Sequence, residues 1–573
     1  MSALTELTAA SAAEPPARSP AAARRVRRWA TLAIVLFGLA CATIAQSFSW
    51  NQTSHYDLIR SLAHDHPYID QYSSNTGDKA FYNGHWYSAR APGLAVYALP
   101  WYGLLTAVDY PHFGQDHPAQ PGNENNMIWA LGLWTAVLPG ALMLLLLYRS
   151  GDGLEPGHGL AAAISVGIGT MILPFSTLMF SHVFTACLAF WAFAILMRER
   201  DGPPNLARVG IAGLIAGYAV FSEYPVAFAA GAIGLFAASR PLSRGDEPGP
   251  PWQAALLRLI TYGVGLGVGL IPLAAYNKWA FGSFTHVAYA DIKRQQAGFF
   301  GITTPSVRTA ITLLFASRGL LVLAPVLIMG IVGTVMLYRR GRRAEALTIG
   351  LIFVLYLIYD SGYYLPYGGG TPGPRFLITS LPFLGLPIAV AFKRFPGPTL
   401  GLAVAGGVCY VLATMTHPLI GYETEAFKWM QLLRQGSFQP TVLSMFGAGR
   451  GWWAMTPFLV FIAGALVLTV MSTTRLAIDA RGLLYGLLAV GGWALFAAVG
   501  PHLLGIDHQA LLNTEHAGDP TALHKGWGPY PLSGLAPMAF GFAALALVLT
   551  FAWPHVRLAL RRGRKRTLAP AAA

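Results

Sequence analysis

The chain has 573 residues, 54% of them hydrophobic and only 11% charged; with a mean hydropathy of +0.48 this excludes an ordinary soluble globular protein. The formal net charge of +14 would suit a nucleic-acid binder, but its clusters sit beside apolar runs, which excludes that class. Cys41, Cys187 and Cys409 all lie inside apolar runs, leaving neither a disulfide framework nor a metal-ligand spacing.

Residues 1–28, rich in Ala, Pro, Ser and Arg, read as a disordered basic cytoplasmic tail. No small-residue cleavage site follows the first apolar run, which is expected to be a retained anchor. A bilayer core about 30 Å thick takes roughly 20 apolar residues per helix. On that measure the chain is all-α and polytopic, with about 14 membrane helices (roughly 11–14 as short runs are counted). They are expected at 30–47, 127–148, 161–179, 183–197, 208–222, 224–239, 258–280, 312–337, 345–361, 376–392, 399–416, 452–471, 482–500 and 533–553. The apolar stretch 91–108 is interrupted by Pro92 and Pro100, and is expected in the interface or as a partial re-entry.

Basic clusters at Arg24, Arg25, Arg27 and Arg28, at Arg339, Arg340, Arg342 and Arg343, and at Arg561, Arg562, Arg564, Lys565 and Arg566 place both termini in the cytoplasm. The loop over 48–126 then faces outward, as do 281–308, 362–375, 417–451 and 501–532. The domain plan is a catalytic transmembrane module over 29–400, further membrane helices over 401–556, and a second basic cytoplasmic tail over 557–573. The expected location is the plasma (inner) membrane, with the active face periplasmic or extracellular.

The first loop carries the densest chemistry. From Trp50 to Gly93 it holds Asp57, Asp65, Asp70 and Asp78, four histidines, and a lone Arg90 just before Pro92-Gly93. Ser54–Ala63 has Leu58, Ile59, Leu62 and Ala63 on one side and Asp57, Arg60 and His64 on another, which predicts an amphipathic helix lying on the outer membrane surface. Asp57 there is either a functional acid or simply the partner of Arg60. His64-Asp65-His66 lacks a second ligand pair and is weak evidence for a metal. Asp70 and Asp78 flank a polar turn, and Asn83-Gly84 predicts a hairpin. The turn can present Asp78 toward the membrane, shielded by Tyr82, Trp86 and Tyr87, or both acids can be plain turn formers. Arg90 at the edge of an apolar run suits a phosphate group at the membrane surface, or a snorkelling anchor.

Further acids and bases punctuate the apolar runs. Glu223 and His182 sit in helical-hairpin turns near membrane depth, and either can line a cavity. Gly368-Gly369-Gly370 and Gly373-Pro374-Arg375 permit close backbone approach to a ligand, with Arg375 as a second phosphate holder. Lys293-Arg294 and Arg318 are additional basic sites or anchors. The C-terminal loops bear Glu423, Glu425, His502, Asp507, His508, Glu515, His516 and His524 in no recognised catalytic spacing. There is no P-loop, dinucleotide-binding fingerprint or zinc-protease motif, and no internal repeat of the kind found in inverted-repeat transporters.

An acid-bearing first loop, a short aromatic stretch and then a basic residue before Pro resembles the GT-C glycosyltransferases. The closer likeness is to the branch of protein O-mannosyltransferases and the lipid A aminoarabinose transferase. That branch carries an Asp-Glu pair after the first span and a Lys-Pro-Pro run; this chain has Asn51-Gln52 and Arg90-Ala91-Pro92-Gly93 in their places. The stretch from Gly368 to Pro382 is similar to the GG…GPR-L-P pattern of bacterial GT-C-like membrane proteins.

The resemblance implies transfer of a sugar from a polyprenyl-phosphate donor to a glycan, lipid or protein acceptor on the outer face, with membrane lipids as surroundings and no nucleic-acid partner. It implies an acid acting as base or metal ligand, so a divalent metal is the one cofactor it admits. Asp78, then Asp70, then Asp57 are the expected catalytic acids; Arg90, Arg375, Glu223, His182, Lys79 and Tyr87 are the expected substrate contacts. The alternatives are a lipid-linked sugar flippase or exporter, and a non-catalytic envelope-assembly protein.

Overall fold

A computed structural model describes residues 20–47, 49–110, 126–244, 249–419, 429–473, 478–506 and 534–567. The chain is an all-α polytopic membrane protein. Among the described residues 10 helices are long and apolar enough to cross a membrane, or up to 12 if each of two bent pairs counts as one span. These 12 fall on 12 of the expected stretches. The other two, 161–179 and 208–222, are helices too short for that test, Gly159–Gly169 and Leu206–Ser222. The acids and histidines of the C-terminal loops at 423, 425, 507, 508, 515, 516 and 524, and most of the loop over 109–126, lie outside the described residues.

Two expectations for single helices need correction. The stretch 312–337 is Val307–Leu323 followed by Val326–Arg339, bent by 93°. Gly319 and Pro325 break the backbone there, and Arg318 turns aside to donate to the carbonyls of Gly369 (3.0 Å) and Thr371 (2.9 Å). The stretch 376–392 is Arg375–Gly385 and Ile388–Arg394, bent by 51° at Pro387. The helix Pro20–Thr43 also begins inside the expected N-terminal tail.

Polar residues concentrate at the two ends of the long helices. Ser181–Arg200 carries His182 at its start and Glu199 at its end, about 25 Å apart at 1.5 Å per residue. At the Glu199 end, its carboxylate accepts from Arg258 at 2.5 and 3.0 Å and lies 3.7 Å from Arg240, all three side chains 1% exposed. Arg340 and Lys393 meet Glu155 nearby in the basic layer, at 2.8 and 2.6 Å.

Leu206–Ser222 and Pro251–Phe281 run against each other backbone to backbone. A Cβ on Gly213, Gly217, Gly265 or Gly269 would overlap a carbonyl oxygen of the opposite helix, so small residues set the spacing. At its far end Pro251–Phe281 meets the first loop. There Tyr87 donates its hydroxyl to the Ala280 carbonyl (2.9 Å), and Tyr276 donates to that of Pro67 (3.1 Å).

Candidate active site

The site begins with the helix Trp50–Ala63, which differs from expectation. It does not lie with one face in solvent: Asn51 to Ile59 are all buried, because a β-hairpin and the helix Gly93–Ala107 cover it. Gln52 caps its start by accepting from the Ser49 amide at 2.9 Å. The covering hairpin pairs Lys79–Tyr82 with His85–Ser88 in antiparallel register. Asn83 and Gly84 turn it, with φ of 46° and 88°, as a two-residue primed turn requires. Ser54 donates to the Asp78 carbonyl at 2.6 Å and lies 2.8 Å from the Ser88 hydroxyl, which accepts from the Arg90 amide at 3.1 Å. The backbone on both sides of the hairpin is thereby stitched to the helix, and Asp78 and Arg90 are brought face to face.

Their side chains form an ion pair. Burial alone would discourage the Arg90 charge, but Asp78 more than offsets it and raises its pKa. Asn51, which stands where the resemblance puts an acid, faces the same guanidinium. With its amide oxygen turned that way, it accepts from Arg90 Nε and Nη1 at 3.2 Å each. The neutral amide orients Arg90 without cancelling its charge.

Arg375 arrives from the other side. Gly368 has φ of 73°, and a Cβ there would meet Arg375 Nε and Cγ at 2.5 and 2.8 Å, so only glycine lets the side chain pass. Its guanidinium lies over Phe180 and Phe376, 5.6 and 5.3 Å from the ring centres. Its Nε is buried without a hydrogen-bond partner, and among the described residues Arg375 makes no ion pair. Arg90, Asp78, Tyr363 and Glu223 all bear on it electrostatically.

The same compartment holds His182 and Glu223. His182 Nδ1 lies 2.6 Å from Glu223 Oε1, and Glu223 Oε2 accepts from Ser181 (3.1 Å) and Thr185 (2.8 Å). The helix Gly93–Ala107 abuts this corner: Tyr218 donates to the Gly93 carbonyl at 3.2 Å, and a Cβ on Gly93 would strike Ser222.

Other expected residues lie elsewhere. Asp57 is fully buried and takes Arg60 at 2.5 Å and Asn75 at 3.4 Å, so it pins the helix to the 70–75 turn. Burial pushes its pKa up to about 6 in spite of Arg60. Asp70 holds the hairpin from outside, accepting from the Trp86 amide and contacting His85 Nδ1, both at 2.6 Å. Lys79 donates to the Ser73 carbonyl and lies over the Trp86 ring, and Tyr87 is tied to Ala280. In this structure those four side chains brace the loop.

Sequence reasoning gave no role to three residues here, His55, Tyr289 and Asp360, and read Asn51 only as a departure from an acid. Asp360 is fully buried, both its oxygens lack partners, and the charge of Arg375 bears on it. An acid in an apolar run was the available signal. His55 is also fully buried with neither ring nitrogen partnered. Burial, then Arg90 and His182, hold its pKa near 3 against an ordinary 6.5.

That depression has a sign. Between pH 6.5 and about 3 the unfolded segment takes up a proton that folded His55 refuses, so stability is complete above 6.5 and falls with acid. Asp57 acts oppositely between about 6 and 3.8, but its shift is smaller. Amides of Trp50–Ala63 should therefore open more readily at pH 5 than at pH 7 in hydrogen exchange corrected for intrinsic rates. The difference should shrink in His55→Asn; equal protection at both pH values would contradict it.

Among the described residues no three His, Cys, Asp or Glu side chains converge to hold a metal ion. Asn51 and Gln52 stand where acids would be, and Asp78 is taken by Arg90, so the described residues of this corner offer no cluster of free carboxylates to a divalent metal.

No family model matches the chain, and no curated protein matches it. Solved structures do, at low identity. The chain is similar to ArnT from Cupriavidus metallidurans bound to undecaprenyl phosphate, with 14% identity and a TM-score of 0.45 over 82% of this chain and 80% of that one. It is similar to the arabinosyltransferase EmbB from Mycobacterium smegmatis, with 13% identity and a TM-score of 0.42 over 95% of this chain and 42% of that one. It is also similar to the Archaeoglobus fulgidus oligosaccharyltransferase, with 13% identity and a TM-score of 0.38 over 78% of this chain, which spans 56% of that enzyme's length.

Proposed function

We propose that the protein is a membrane glycosyltransferase that moves a sugar from a polyprenyl-phosphate donor to an acceptor hydroxyl at the face carrying the hairpin. The observation that carries this reading is that Arg90 and Arg375, from distant segments, lie close enough for the charge of one to act on the other. Asp78 offsets the Arg90 charge, but among the described residues Arg375 has no carboxylate partner, and an anionic ligand would supply one. A phosphate diester offers oxygens to both planar forks, while its isoprenoid tail suits the apolar helices alongside. Asp78 then has the task of orienting Arg90. The site lies at the ends of the helices opposite the Arg-rich layer, which under the basic-inside rule supports an outer, periplasmic or extracellular placement.

The test uses purified protein and undecaprenyl-phosphate mannose, glucose and arabinose, each labelled in the sugar, with octyl glucoside as hydroxyl acceptor. Release of undecaprenyl phosphate with label in the octyl glycoside is the expected result, and right-side-out vesicles should react without lysis. No release, with labelled lipid passing between leaflets of proteoliposomes, would replace the enzyme by a carrier.

A further inference from the structure

The buried pair His182–Glu223 has a task beyond binding. Glu223 Oε2 already accepts from Ser181 and Thr185, and its Oε1 faces His182 Nδ1 at 2.6 Å. A carboxylate so placed accepts the Nδ1 proton and fixes the imidazole tautomer. Nε2 is then left as a lone-pair acceptor, and it is buried with no partner. The ring is only 4% exposed and shares Phe180 and Phe376 with the Arg375 guanidinium. A neutral imidazole of that tautomer cannot donate to a phosphate from Nε2; it can only accept, and a hydroxyl beside the phosphate cradle is the matching donor.

We propose that His182 Nε2 is the general base for the acceptor hydroxyl, and that Glu223 is its positioning residue. This rests on the glycosyl-transfer reading above. In the step, the acceptor oxygen bonds to the anomeric carbon as the bond from that carbon to the phosphate oxygen breaks. The bonding pair leaves on the polyprenyl phosphate, held by Arg90 and Arg375, and the hydroxyl proton passes to Nε2. The resulting imidazolium is paired with Glu223 and later yields its proton to water. Asp78, already held by Arg90, is the less suited acceptor, although it is the acid expected from the sequence.

The experiment compares two nucleophiles on undecaprenyl-phosphate sugars: octyl glucoside, whose hydroxyl must lose a proton, and azide, which has none to lose. His182→Gln should lower kcat for octyl glucoside by about 10²–10⁴, the usual worth of a general base, with KM for the donor nearly unchanged and azide transfer near the parent rate. Glu223→Gln should show the same selectivity, less severely. Equal losses with both nucleophiles would make the pair structural and overturn the proposal. So would selective loss of octyl glucoside transfer in Asp78→Asn but not in His182→Gln.

If either variant loses its thermal transition, the parent decides. Its octyl glucoside rate should fall as acid titrates the group bounded by Glu223, Arg90, Arg375 and His55, whereas its azide rate, corrected for the fraction of azide converted to hydrazoic acid, should not; parallel corrected profiles would overturn the proposal. A parent that transfers to neither nucleophile defeats the underlying reading and this one together, whereas selective failure of His182 alone leaves the underlying reading standing.

Discussion

Arg375→Ala is expected to weaken binding of undecaprenyl-phosphate sugars by about 1.5–3 kcal/mol, the range for a hydrogen bond to a charged group, or roughly 10- to 150-fold in Kd. Arg375 sits over two phenylalanine rings, has an unpartnered Nε and, among the described residues, pairs with no carboxylate, so its removal breaks no salt bridge. Arg90→Ala should cost more, because it strips one cation and also bares the Asp78 carboxylate toward the phosphate. Lysine at either position should recover only part of the affinity, since it lacks the planar fork. Equilibrium binding of labelled donor to detergent-purified variants checks this. Affinities within twofold of the parent in both folded alanine variants would remove the phosphate from this cleft.

Glu199→Ala should destabilise the fold by about 3–5 kcal/mol, the cost of removing one partner of a buried ion pair. Arg258 and Arg240 converge on this one carboxylate with 1% exposure each, and the Asn205 amide donates to it at 3.0 Å. Adding Arg258→Met to Glu199→Ala should restore part of the loss, because the second change removes one of the two arginines that face the lost carboxylate. Thermal unfolding in detergent reads both effects. A loss below about 1 kcal/mol would show that water or lipid headgroups solvate the arginines, as at an exposed pair.

Hydropathy made the helical inventory legible, since bilayer thickness imposes a run length that a window can detect. It could not show the 93° bend near Arg318, because an average over apolar residues is blind to a backbone break within them. The hairpin was legible at Asn83-Gly84, where the turn demands positive φ, and the Asp57–Arg60 pair was legible as an i, i+3 spacing. Much less legible was the assembly of the cleft. Glu223 and His182 were singled out separately, but their contact joins residues 41 apart. Asn51 looked like a departure from a catalytic acid until its amide was seen against Arg90. Local patterns nominate residues; only tertiary packing tells which of them share a compartment.

The glycine-spaced contact between Leu206–Ser222 and Pro251–Phe281 also limits how the protein can move. Backbones in direct contact have no side-chain layer in which to slide, so the two helices behave as one stiff plank. One edge of that plank ends at Glu223, which steers His182, and the other ends at Ala280, where the hairpin is moored through Tyr87. If the site opens around a long lipid, as the proposed function requires, the side left free to move is the glycine-rich loop carrying Arg375. A donor would be gripped by a moving jaw on that side and a fixed anvil on this one.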